Sequence, residues 1–236
     1  MLKQVSRFVL TPLARGLFRA KIVGRKNVPR EGAVILASNH LSFIDSVVIT
    51  LFAPRSVSFL AKESYFTTPG AKGTLSRLFF TSIGAIPVSR GVGQAAQNAL
   101  DSGLSLLHEG EAFAVYPEGT RSRDGRLYRG KTGVAWLALN AGVPVVPVGL
   151  KGTDKVQPVG TSGIRPAKVS IEFGEPLDLS HHGSADSGRA RRHATDEVMD
   201  AIAALSGQER AEGFNEPPAK NIVERVRRGL FGRNRL

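Results

Sequence analysis

Six short apolar runs, each closed by turn-forming residues, alternate along this chain with segments of helical periodicity. The runs fall at about 33–38, 57–61, 84–88, 112–116, 145–149 and 169–173, and the helical patterns at about 43–52, 73–81, 93–108, 132–141 and 189–205. Helix-length connections between strands favour parallel pairing, because a parallel crossover needs a dozen or more residues. The expected fold class is therefore α/β, a single domain with a largely parallel central sheet flanked by helices. In such sheets the reactive groups gather at the carboxyl ends of the strands. The 236 residues suffice for one domain of the size that buries roughly 70% of its unfolded surface. The stretch 151–188 is rich in Gly, Ser and Pro and reads as mostly loop.

The charge is unevenly placed. Of a formal net charge of +12, residues 1–30 supply eight Lys or Arg and no acid, and residues 219–236 supply six against Glu224, so the body between them is close to neutral. A neutral body argues against nucleic acid as a partner. Leu2, Val5, Val9, Leu13 and Leu17 step by three or four, as do Ile222, Val226 and Leu230, so each end can form an amphipathic basic helix, the first bent at Pro12. Such helices fit an anionic membrane surface; they also fit plain docking on the domain with solvated charges. The expected organisation is a basic amphipathic segment over 1–30, the α/β domain over 31–205, and a linker with a basic helix over 206–236. The longest uncharged stretch, Thr132–Leu150, is interrupted by Asn140, Gly142, Pro144 and Pro147, so it reads as helix then strand and not as a membrane span. No signal peptide is expected, and any membrane contact is expected to be peripheral. The absence of cysteine removes disulfides, thiolate metal sites and a cysteine nucleophile.

Two strand ends carry the chemistry. The first run passes into Asn39-His40-Leu41-Ser42-Phe43-Ile44-Asp45. An offset of five separates side chains by about 140° on a helix and puts them on opposite faces of a strand, so only a loop entering a helix can pair His40 with Asp45. In that setting the carboxylate accepts from Nδ1–H and leaves Nε2 as a general base. Ser42-x-x-Asp45 also fits a capping box, and His181 with Asp186 repeats the spacing in a polar segment with no preceding strand. The fourth run passes into Tyr116-Pro117-Glu118-Gly119-Thr120-Arg121, followed by Arg123, Arg126, Arg129 and Lys131. These five cations against Asp124 make a phosphate cradle, with Arg121 suited to bidentate binding, or a loop of solvated arginines. Arg90 points to the same edge. Gly125-x4-Gly130-Lys131-Thr132 matches the P-loop pattern, but its first glycine does not follow a strand directly. Gly91-Val92-Gly93-Gln94-Ala95-Ala96 resembles a dinucleotide fingerprint and keeps a Rossmann-type NAD oxidoreductase open as an alternative. No metal-ligand set is expected.

Four segments in order, Asn39-His40 through Asp45, Gly84-Ala85-Ile86-Pro87-Val88-Ser89-Arg90, Tyr116-Pro117-Glu118-Gly119-Thr120-Arg121 and Val143-Pro144-Val145-Val146-Pro147-Val148, resemble the glycerolipid acyltransferase family. The resemblance covers about 33–150. It implies an α/β acyltransferase that moves a fatty acyl group from acyl-CoA or acyl carrier protein, as co-substrate, to the free hydroxyl of a lysophospholipid, foremost 1-acylglycerol 3-phosphate to give phosphatidic acid. It implies His40 as base, Asp45 as its orienter, and Arg90, Glu118, Gly119, Thr120 and Arg121 at the acceptor site, where Lys131 adds charge. Pro87 and Ser89 depart from the family's more usual apolar and acidic residues. The resemblance also implies peripheral attachment to the cytoplasmic face of a membrane, and it implies no cofactor. A glycerol-3-phosphate or other membrane-lipid acyltransferase, and a non-catalytic membrane-binding module, remain alternatives.

Overall fold

The computed structural model describes residues 2–88, 94–161 and 163–216. Its strands are β1 (Lys21–Val23), β2 (Val34–Ser38), β3 (Val57–Lys62), β4 (Ala85–Val88), β5 (Ala112–Val115), β6 (Leu127–Arg129), β7 (Val145–Lys151), β8 (Ser170–Phe173) and β9 (Arg210–Phe214). Its helices are α1 (Leu2–Phe18), α2 (Asp45–Phe52), α3 (Ser64–Thr67), α4 (Gly70–Ser82), α5 (Gln94–His108), α6 (Gly133–Ala141), α7 (Thr153–Val156) and α8 (Gly188–Ser206). Seven strands form one sheet in the order β1-β8-β7-β2-β5-β3-β4, and β6 and β9 form a separate parallel pair. The five strands from β7 to β4 are mutually parallel. β8 joins β7 antiparallel, and β1 follows β8 in its own direction. The sheet is thus mixed but mostly parallel.

The alternation of β2 shows why its run is uniformly apolar. Val34 and Leu36 enter one core cluster with Ile44, Phe52 and Phe59, while Ile35 and Ala37 enter a second with Val134, Leu137 and Val198. Both faces are covered by helices, so period-two alternation of polarity has no place in this strand. Pro87 is tolerated because β4 is an edge strand.

Two segments differ from the sequence reading. Residues 1–30 do not stand apart from the domain: Ala14 and Phe18 of α1 are buried in the first core cluster, and β1 extends the sheet. The first part of the 206–236 stretch, read as linker, contains β9. Helix α8 stops at Gly207, which takes φ +65°, and the chain turns back so that β9 pairs with β6. The expected C-terminal helix, with Ile222, Val226 and Leu230, lies outside the described residues.

Candidate active site

β2 and β5 are neighbours in register, with Ala37 opposite Val115, so the loops that leave them emerge side by side at the carboxyl edge of the sheet. Topology therefore brings the two sequence motifs together. His40 Nδ1 lies 2.8 Å from Asp45 Oδ2. The same oxygen accepts from the backbone N–H groups of Leu41 at 2.7 Å and Ser42 at 2.8 Å, and Asp45 is 0% exposed. The capping reading and the dyad reading of Asp45 describe one arrangement. By accepting from Ser42 N–H, the carboxylate closes half of a capping box at the start of α2, and this holds it where the histidine ring meets it. The Ser42 hydroxyl instead donates to the Gln157 carbonyl at 2.7 Å.

With Nδ1–H donated to Asp45, the tautomer of His40 leaves a lone pair on Nε2. The ring stacks on Tyr116, with centroids 3.9 Å apart and planes at 13°, and the Tyr116 hydroxyl shares a 2.7 Å hydrogen bond with the Ser46 hydroxyl of α2. Burial first, and then the Asp45 carboxylate, hold the Tyr116 phenol well above its ordinary pKa, so it stays protonated and neutral.

Behind these groups the loops are tied by buried polar side chains. Glu118, 0% exposed, accepts from His40 N–H through Oε1 and from Tyr128 N–H through Oε2, both at 3.0 Å. Burial pushes its carboxyl up to about 7 against the opposing effect of those two bonds, with Asp45 and Asp124 adding to the rise. Asn39, also buried, bonds both the carbonyl and the N–H of Leu150 on β7 and donates to Gln208 Oε1 at 2.7 Å. Gln208 Nε2 donates in turn to the Gly125 carbonyl, and Asn215 donates to the Thr120 carbonyl. The segment read as linker thus supports both site loops.

A cavity of about 620 Å³ opens beside this edge. His40, Gly119, Thr120, Arg121 and Lys131 line its polar part, and Phe43, Phe59, Tyr65, Phe80, Leu100 and Leu137 are among its apolar walls. Gly119 takes φ +75°, and a Cβ there would meet the Lys131 side chain at 3.0 Å, so glycine lets the lysine lie across the loop.

The sequence-based site residues divide accordingly. His40 and Asp45 pair, and Gly119, Thr120, Arg121 and Lys131 share the cavity with His40. Glu118 does not line it; both its oxygens are engaged by backbone. Arg90 and the Gly91–Gly93 part of the dinucleotide-like stretch lie outside the described residues. The five-cation cradle separates: Arg126 pairs with Asp124, Arg129 lies over the Phe214 ring, Arg123 does not line the cavity, and Arg121 and Lys131 are the two of the five that do. β6 occupies the middle of the P-loop-like stretch, where that motif would need a phosphate-wrapping turn. Sequence reasoning gave no role to Asn39, Tyr116, Ser46 or Gln208. A buried Asn next to a strand-end histidine was a signal for the first. Nothing in the spacing marked Gln208, 169 residues from its partner.

The fold and site together define an α/β protein with a histidine–carboxylate pair at the carboxyl edge of a parallel sheet, facing a cavity that is polar at one end and apolar at the other. Residues 19–151 match the model of the family described as Acyltransferase, and the chain belongs to that family. Among curated relatives it is 34% identical over 169 residues to the chloroplastic 1-acyl-sn-glycerol-3-phosphate acyltransferase LPAT1 of Arabidopsis thaliana, covering 71% of this chain and 45% of that protein. It is 26% identical over 166 residues to the 1-acyl-sn-glycerol-3-phosphate acyltransferase of Bacillus subtilis, covering 68% and 76%. The crystal structure of the 1-acyl-sn-glycerophosphate acyltransferase PlsC from Thermotoga maritima aligns with a TM-score of 0.65 at 28% identity, covering 86% of this chain and 79% of that one. The chain spans less than half the length of the chloroplast relative.

Proposed function

We propose that the chain transfers a fatty acyl group from a thioester donor, acyl-CoA or acyl carrier protein, to the hydroxyl of a lysophospholipid, and that 1-acylglycerol 3-phosphate is the acceptor and phosphatidic acid the product. The observation that carries this reading is the 2.8 Å His40–Asp45 pair set in the wall of a cavity that joins cations to apolar walls. A lysophosphatidate has the same two halves. In the proposed reaction His40 Nε2 takes the acceptor hydroxyl proton, the oxygen attacks the thioester carbonyl, and the thiolate leaves. Asp45 stabilises the imidazolium formed, and Arg121 and Lys131 receive the phosphate. A thiolate is a good leaving group, so one base and a site for the oxyanion suffice.

The family resemblance and the acceptor's chemistry also support work at a membrane surface. No helix among the described residues is long and apolar enough to cross a membrane. Leu13 and Leu17 of α1 point away from the core, and Leu75, Leu78 and Phe79 are exposed on the neighbouring α4, whose Phe80 lines the cavity. Arg15, Arg19, Lys72 and Arg77 belong to the same two helices and their ends. We read this apolar, cation-bearing face as the surface that meets anionic lipid.

The test is thiol release from acyl-CoA and from acyl carrier protein across a panel of lysophospholipids and glycerol 3-phosphate. Highest kcat/KM with 1-acylglycerol 3-phosphate supports the proposal. Preference for glycerol 3-phosphate moves the protein to a different acceptor, and absence of transfer to any of them overturns it.

A further inference from the structure

Away from the cavity, three side chains with metal-binding atoms converge where the 3-10 turn Ser180–His182 packs on α8. His181 Nε2 lies 3.2 Å and His182 Nε2 2.6 Å from one atom, Glu197 Oε2, and the donor atoms of all three lie within 4.8 Å of one another. His181 Nδ1 is 2.9 Å from the Asp178 carbonyl. A carbonyl only accepts, so Nδ1 carries the hydrogen, and in the neutral ring Nε2 turns its lone pair toward the carboxylate oxygen. Two electron-rich atoms at that separation are stabilised by a positive charge placed between them. A backbone carbonyl on the far ring nitrogen is also one of the usual ways in which a metal-ligating histidine is oriented.

We propose that His181, His182 and Glu197 bind a late first-row divalent cation of the zinc type, and that the ion clamps the 180–182 turn to α8. Two imidazoles and one carboxylate suit zinc, whereas magnesium and calcium prefer all-oxygen sites. With zinc–ligand bonds of about 2.0–2.1 Å, ligand atoms around a tetrahedral ion stand about 3.3 Å apart. The His181–Glu197 separation of 3.2 Å already meets this. The 2.6 Å His182–Glu197 contact must open, which rotation of the half-buried Glu197 side chain allows. The backbone on both sides is already held, because Leu179 before the turn is buried in the same core cluster as Ala194 and Val198 of α8. Three protein ligands leave a fourth position for water, and His181 is exposed enough for the ion to reach the site. None of the three lines the catalytic cavity.

The experiment titrates zinc chloride alone into the untagged, chelator-treated full chain, followed by calorimetry and thermal melting. We expect one zinc per chain and a melting midpoint that climbs with zinc concentration, with no such rise for magnesium. His181→Ala alters an exposed side chain and should keep the fold; it and Glu197→Gln should each weaken zinc binding by at least about tenfold. His40→Ala should leave the stoichiometry at one, which separates this site from the His40–Asp45 pair. Unchanged affinity in the His181→Ala/His182→Ala double variant, loss of zinc with His40→Ala, or no binding at about 100 μM zinc overturns the proposal.

Discussion

Two histidines in this chain have an aspartate five residues further on, and the structure treats them differently. His40 meets Asp45 at 2.8 Å. His181 does not meet Asp186: its Nδ1 faces the Asp178 carbonyl, its Nε2 faces Glu197, and Asp186 bonds Ser184 instead. The spacing is the same, so the cause lies in what surrounds it. Asp45 is the first residue of α2, where Leu41 and Ser42 N–H groups fix its carboxylate, and His40 follows a strand buried on both faces. Asp186 precedes α8 in an exposed stretch, and Ser187, not an acid, caps that helix. A His-x4-Asp pattern becomes a pair only when a strand end and a helix start hold its two members.

The largest expected effect breaks this comparison outright. His40→Ala should lower transfer by about 10²–10⁴-fold, as for loss of a general base, while His181→Ala should leave it unchanged when both are assayed with the preferred acceptor and checked for folding by circular dichroism. Equal losses at the two positions would erase the distinction. Next in size is Asp45→Asn. The amide oxygen can still accept from the ring and the two backbone donors but cannot offset the imidazolium charge. Because charge-assisted hydrogen bonds are roughly twice as strong as neutral ones, kcat should fall about 10–10²-fold with KM little changed. Asp186→Asn should have no effect on either constant.

The pairing of His40 with Asp45 was legible because both lie in one short segment, and so was the α/β class, because apolar runs and helical patterns alternate. What stayed hidden depends on pairing across long separations. β9 was read as linker, since Arg-Ala-Glu-Gly-Phe (210–214) shows no strand pattern and gains its geometry from β6. The cations of the 121–131 loop read as one cradle in sequence, but Arg126 and Arg129 find Asp124 and Phe214, and neither partner choice is written in the spacing. Glu118 belongs to the family motif that suggests substrate contact. Only the fold shows that both its oxygens take backbone N–H groups from two different loops.

Glu118 sharpens the comparison, because the His40 loop rests on a buried carboxyl and the His181 turn does not. The Glu118 pKa rises from 4.5 to about 7 on folding, so the folded chain keeps a proton that the unfolded chain releases. Its contribution to stability is therefore greatest below about 4.5, falls as pH rises toward 7, and levels off above it, a total of about 3 kcal/mol. Glu118→Gln should flatten this dependence in thermal melts run from pH 4.5 to 8. It should also cost about 1–3 kcal/mol, since an amide can accept only one of the two N–H groups and turns a donor toward the other. Unaltered pH dependence in the variant would place the titration elsewhere.

The smallest effect separates two ways in which a ring can be held. His40 lies flat on Tyr116 at 3.9 Å and 13°, whereas the ring beside His181 is His182, tilted by 38°. If stacking holds the orientation of His40, Tyr116→Phe keeps the surface and loses only the Ser46 hydrogen bond, a change of about 0.5–1.5 kcal/mol in stability and less than about tenfold in kcat. Tyr116→Leu has no flat face and should reduce kcat further than Tyr116→Phe, because the ring is then restrained only by Asp45 and departs more often from the geometry in which Nε2 meets the acceptor hydroxyl. Measuring kcat and melting midpoint for both variants distinguishes the contributions. Equal kcat in Phe and Leu would mean that Asp45 alone orients His40, and a large loss in Phe would shift the positioning role to the hydroxyl and Ser46.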